Sequence, residues 1–211
     1  VNIRIIAILY LSFPSTVLAQ ADLSDSTRLL DEVVISATKM PELRSKVSQQ
    51  VHVIPALKIS RLNVQNSADL IANTGTVAVQ KSQQGGGSPQ IRGFEASRVL
   101  LVIAGVRMNN LIYRSGHLQN VITVDNNSLE RAEIVFGPSS TVYGSDALGG
   151  VIHFRTKDPE LSQNTEPDLK ANAMVRYGSV NKEKTSHMDL SLAKKHIGSF
   201  SSFTFSDFSE L

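Results

Sequence analysis

Side chains able to do chemistry are few and dispersed in this 211-residue chain. Five histidines, His52, His117, His153, His187 and His196, never pair at metal-ligand spacing on one helix. Serines and aspartates are scattered without a triad, and there is no cysteine, which excludes a disulfide scaffold and a thiolate metal site. The sequence therefore assigns no catalytic residue, no metal ligand and no resident cofactor. Residues 83–88, Gln-Gln-Gly-Gly-Gly-Ser, resemble a phosphate cradle only superficially, because no Lys-Ser or Lys-Thr follows and no helix opens there. Two sets of residues suit binding instead. Tyr113, Arg114 and His117 crowd a polar, glycine-bearing stretch without clean periodicity, and such loops carry function more often than cores do. Asp31, Glu32, Val33, Val34, Ile35, Ser36, Ala37 and Thr38 form a short β-prone run with acidic residues before it and Lys39 and Pro41 after it. Nothing around that run is apolar. It reads either as the first strand of the following domain or as an extended segment that adds itself to a partner's sheet edge through main-chain hydrogen bonds.

The elements that would position these residues change character along the chain. Arg4 precedes an apolar run and small or apolar residues lie at 17–19, a secretory signal cleaved after about Ala19. As a membrane helix it is too short, since spanning needs ~20 apolar residues. Residues 20–30 are polar, and 20–45 form an N-terminal segment that carries the 31–38 run. Residues 47–54 alternate as a strand, Ala56–Leu62 has helical spacing, Ser67 is placed to cap a helix over 68–73, and Gly75 stops it. Residues 76–80 and 98–103 read as strands, the second apolar on both faces, and Ala104-Gly105 turns it back. Residues 130–136 form another strand. Pro138 ends it or opens a helical turn that Gly144 stops, and 151–156 is the next strand. After a polar linker at 158–167, residues 169–177, 185–194 and 199–205 each alternate apolar and polar. A transmembrane barrel and a soluble sandwich share that local pattern. With a net charge of +2, the chain has no basic footprint for nucleic acid.

The stretch from Glu130 to Thr156, ERAEIVFGPSSTVYGSDALGGVIHFRT, decides among these readings. It resembles the end of the plug domain of TonB-dependent outer-membrane receptors, with Gly137, Pro138, Tyr143, Gly144, Ala147, Gly149, Gly150, Val151 and Ile152 in place. Ile91, Arg92, Gly93 and Phe94 match a strand motif of the same family, and DEVVISATK resembles its TonB box. Two departures stand out. Thr74-Gly75 replaces Pro-Gly, and Ala104-Gly105 replaces Asp-Gly, which removes a side-chain hydrogen bond from that turn.

The resemblance implies an α+β plug, a mixed β-sheet with short helices, at 46–157, followed at 158–211 by the first antiparallel strands of a transmembrane β-barrel. Position downstream of a plug favours barrel over sandwich. It also implies a bacterial outer-membrane location, a periplasmic N-terminus, and strand addition of residues 31–38 to the TonB energy transducer. The transported ligand would be a ferric siderophore or haem, with cobalamin as an alternative, and Tyr113, Arg114 and His117 as ligand contacts. Arg92, Arg107, Glu130, Arg131 and Glu133 would supply polar contacts to the barrel wall. In some relatives two plug arginines lock onto barrel glutamates. Arg92 fits the first position, whereas Phe136 holds the second. Three strands cannot close a barrel of ~22, so the chain reads as a fragment or an early-truncated product. A plug that only binds the transducer is the alternative function; a secreted enzyme is disfavoured by the missing constellation.

Overall fold

Alternation with a period of two, rich in Val and Ile, builds the sheet that organises the molecule. The computed structural model describes residues 32–81, 87–95, 98–108, 121–162, 166–179 and 182–208. The expected signal segment, Asp31, Tyr113, Arg114 and His117 lie outside the described residues.

Strands β3 (Gln50–Pro55), β6 (Val99–Ile103), β7 (Val106–Arg107), β8 (Leu129–Phe136) and β9 (Gly150–Thr156) form one mixed sheet, in the order β3-β8-β9-β6-β7. β6 and β9 are parallel, with Leu101 opposite Ile152; the other pairs are antiparallel. Small ladders join β1 (Val33–Val34) to β2 (Glu42–Leu43), and β4 (Ala78–Gln80) to β5 (Ser88–Gln90).

Each face of the main sheet buries a separate apolar cluster. On one face Ile54, Ile134, Ile152, Phe154 and Leu101 pack against helices α1 (Ala56–Leu62) and α2 (Ser67–Ala72) through Ile59, Leu70 and Ile71. On the other, Val51, Val53, Val135, Val151, Leu100 and Val102 meet Val34, Ala37, Tyr143 and Ala147. That second cover comes from the 33–37 segment and from the loop holding the short helix α3 (Ser140–Tyr143).

Local structure departs from the sequence reading at Ser67 and at Ile91–Phe94. Asn66, not Ser67, caps α2, its side chain accepting from the Asp69 N–H at 2.9 Å. Ser67 is instead buried as the first helical residue, its hydroxyl donating to the Val121 and Val124 carbonyls. Ile91–Phe94 is not a strand but a tight reversal. Ile91 and Phe94 exchange two main-chain hydrogen bonds of 2.9 Å, and Arg92 and Gly93 both take positive φ, 49° and 82°. That φ pair belongs to a type I′ hairpin turn, which an Xaa-Gly dipeptide permits.

Strands β10 (Asp168–Gly178), β11 (Glu183–Ala193) and β12 (Gly198–Asp207) form a separate antiparallel meander with unbroken register. They are long, ten or eleven residues each, the length a tilted transmembrane strand requires.

Candidate functional site

Residues 32–38 are seated rather than free. Only Val33 and Val34 are extended; the chain then bends, with Lys39 N–H donating to the Ile35 carbonyl at 2.8 Å and Lys39 at a φ of 62°. Val34 and Ala37 plug into the second apolar cluster, and full burial of one valine is worth about 1.5–3 kcal/mol. The expectation that this run finds no apolar surroundings is thus corrected. Its apolar partners are Val51 and Val53 on β3 and Val135 on the distant β8.

Beneath the bend lies Glu133, on the same face of β8 as Val135. Its side chain is 1% exposed. One carboxylate oxygen accepts from the Ile35 N–H at 3.0 Å, the Ser36 N–H at 2.8 Å and the Ser36 hydroxyl at 2.5 Å. Arg131 lies 2.9 Å from the other oxygen and donates to the Val33 carbonyl at 3.1 Å. A buried carboxylate needs such donors and a counter-ion to remain charged. Beside it, across the strand pair, His153 accepts from the Gly105 N–H at 3.3 Å. Burial holds the His153 pKa below its ordinary value of 6.5, with Arg155 and Arg131 acting in the same direction and Glu133 opposing them. Burial also pushes the Tyr143 phenol up to about 12, with Glu133 adding to the effect, so it stays neutral.

The glycine motif makes a compact ledge at one end of the sheet. Gly137 N–H donates to Gly149 O at 3.2 Å, Ser139 N–H to Ala147 O at 2.9 Å, and Gly149 N–H to Arg98 O at 2.8 Å. Ser139, rather than Pro138, precedes α3, and Gly144 ends it at a φ of 90°. A Cβ on Gly149 would overlap Phe94, and one on Gly150 would lie 2.5 Å from the Val135 carbonyl oxygen. The motif glycines thus let the Ile91–Phe94 turn sit directly on the ledge. Arg92 reaches over the Phe136 ring, 5.7 Å from its centroid, and donates to Gln50 at 2.8 Å. The two lock positions therefore touch each other here.

The meander is inside-out by the standard of a soluble sandwich. On β11, Glu183, Thr185, His187 and Asp189 are buried, while Met188, Leu190 and Leu192 are exposed. The exposed face continues through Leu169, Val175 and Tyr177 on β10 and Phe203 and Phe205 on β12, with Val175 85% and Phe203 70% accessible. A soluble sheet would bury that set; a barrel wall turns it to lipid and its polar set to the lumen.

The polar face grips the plug at specific atoms. Arg176 donates to the Val64 carbonyl at 2.8 Å and is ion-paired with Glu183. Thr204 donates to Asp125 at 2.6 Å, and Lys157 meets Asp189 at 2.9 Å. The contacts to these three wall strands come from residues other than those anticipated. Arg107 pairs with Asp146 at 3.0 Å, Glu130 with Arg155 at 2.8 Å, and Arg131 with Glu133, all within the plug. Asp125, Lys157 and the Val64 carbonyl take that role against these three strands, and main-chain acceptors of this kind carry no sequence signal. Glu133 had one: a lone carboxylate inside an apolar alternation. Its donors, however, lie 97 and 98 residues away.

The family model of the TonB-dependent Receptor Plug Domain matches residues 44–151, half of the chain. The chain belongs to the TonB-dependent receptors. Its curated relatives include the vitamin B12 transporter BtuB of Vibrio vulnificus strain YJ016, 31% identical over 180 residues, covering 84% of this chain and 27% of the relative. Among solved structures it resembles the pyoverdine outer membrane receptor FpvA of Pseudomonas aeruginosa PAO1, with a TM-score of 0.68, 20% identity, and 83% and 24% of the two chains covered. The alcaligin outer membrane receptor FauA of Bordetella pertussis gives a TM-score of 0.64 at 19% identity, covering 83% and 29%. These structural likenesses show the fold: a mixed plug sheet with few short helices, followed by strands that begin the barrel. The chain spans about a quarter of the length of the curated relatives it matches, 27% and 23%.

Proposed function

We propose that this TonB-dependent receptor sequence is the plug and first wall strands of an outer-membrane importer of a scarce metal chelate, energised from the periplasm. The observation that carries the reading is the meander: its exposed face is apolar, its buried face is polar, and the polar face holds the plug. Polar grip suits a removable plug, because moving it exposes no greasy interface to water. Residues 31–38 are the docking strand for the TonB energy transducer, and pulling on them rearranges the plug. The N-terminus lies on the periplasmic side.

The cargo is an iron chelate, a siderophore or haem, with Tyr113, Arg114 and His117 as contacts. Cobalamin is the second reading, favoured by the 31% identity to proteins named vitamin B12 transporters. The test is chelate uptake by cells carrying the receptor, with and without Ile35→Pro, which deletes a main-chain donor that strand addition needs. Surface binding should be retained and uptake should fall at least ~tenfold; unchanged uptake would contradict the docking role. Separate titrations with haem, a ferric siderophore and cyanocobalamin assign the cargo. A haem Soret shift that disappears in His117→Ala would place the haem site, and an unchanged Soret band would remove haem.

A further inference from the structure

We infer that Glu133 is the catch that keeps the docking segment unavailable, and that release of its carboxylate from Ile35 and Ser36 is the step that frees the strand. The inference rests on the docking role proposed above and adds its control.

The geometry is specific to that task. Two consecutive N–H groups, Ile35 and Ser36, converge on a single carboxylate oxygen at 3.0 and 2.8 Å, with the Ser36 hydroxyl at 2.5 Å. Consecutive N–H groups converge on one anion only in a bent backbone; in an extended strand they point to opposite edges. The chain at Ser36–Thr38 is accordingly a turn. A partner that adds a strand takes one of those N–H groups with the backbone extended, a form that cannot hold both on one oxygen, so clamping and docking exclude one another. Arg131 completes the grip by holding the Val33 carbonyl, so one ion pair touches three of four successive residues.

The ion pair also makes the catch reversible. When the segment leaves, Glu133 keeps Arg131 at 2.9 Å, so no lone buried charge remains, a state that would otherwise be strongly unfavourable. Of the segment's side-chain contacts, Val34 and Ala37 fill apolar seats, Glu32 pairs with Arg44, and the Ser36 hydroxyl is the one that meets Glu133. Ser36 is thus the residue within the segment that tunes the hold.

Ala37→Cys, at a buried position and made in a cysteine-free background of the receptor, gives a single thiol whose labelling rate reports unseating. The measurement uses outer-membrane preparations of the receptor without cargo. Adding E133Q should speed labelling about tenfold or more, since even one hydrogen bond to an ionised acceptor is worth that factor. It should also let the purified periplasmic domain of the energy transducer bind without cargo. Ser36→Ala, which leaves Glu133 and Arg131 in place, should give a smaller rise of about threefold. A rate within about twofold of the parent in both variants would overturn the catch. So would a parent thiol that labels as fast as in denaturant. If E133Q fails to assemble, Ser36→Ala decides alone: a rise supports the catch and no rise overturns it. Faster labelling without transducer binding would leave the catch standing and remove the docking role.

Discussion

Ala104 sits at a φ of 47° ahead of Gly105 at 84°, in the hairpin joining β6 to β7. A left-handed conformation costs an alanine about 1–2 kcal/mol, and Asp or Asn much less. Ala104→Asp should therefore stabilise the plug by roughly 0.5–1 kcal/mol, read as a higher urea midpoint of plug unfolding; a lower midpoint would contradict it. The histidines make a second prediction. His52 and His153 are both held below their ordinary 6.5, first of all by burial. Unfolded, they bind protons at a higher pH than folded, so the neutral-state stability is complete above pH 6.5 and is lost as the pH falls below it toward the depressed values. The urea midpoint should decline on acidification from pH 6.5 to about 5. His153→Asn, which keeps an acceptor for the Gly105 N–H, should flatten part of that decline; an unchanged slope would show that His153 does not contribute.

Among the elements, the ledge and the turn resting on it are coupled through the space Gly149 leaves open. Gly149→Ala forces its Cβ into Phe94, and overpacking of this kind costs about 1–3 kcal/mol. Phe94→Gly in the same molecule, which removes the Phe94 Cβ that lies nearest, should recover part of that loss, and the double-mutant cycle over unfolding midpoints measures the coupling. Additive losses would mean that the two do not meet. Much at this scale was legible in advance. Ala56–Leu62, Val99–Ile103 and Leu129–Phe136 follow period and composition closely, because the helix turns one apolar face to a single cluster and the two strands are buried between both. What the sequence hid depends on contacts distant in the chain. Ile91–Phe94 contains no proline and no Asn-Gly or Asp-Gly pair, so its reversal was masked by apolar ends. Residues 31–38 gave no sign of a seat, because the valines that receive Val34 and Ala37 and the carboxylate that receives Ser36 are supplied by other strands. The Arg92–Phe136 stack was equally hidden, since it needs the turn and the strand end placed together.

At the scale of the whole molecule, a plug with two small apolar cores is held to a wall by hydrogen bonds and ion pairs, while the wall turns its apolar side outward. Local alternation could not tell a membrane wall from a sandwich, because the assignment depends on which side meets the plug. Adjacent residues on β12 separate the two most directly. Phe203 is 70% accessible on the outer face, and Thr204 donates to Asp125 of the plug. Phe203→Cys and Thr204→Cys, each made in a cysteine-free background of the receptor, can carry a single fluorophore in bilayers containing brominated acyl chains. The probe at position 203 should be strongly quenched and the probe at 204 little. Equal quenching at both positions, or none at 203, would contradict a lipid-facing wall.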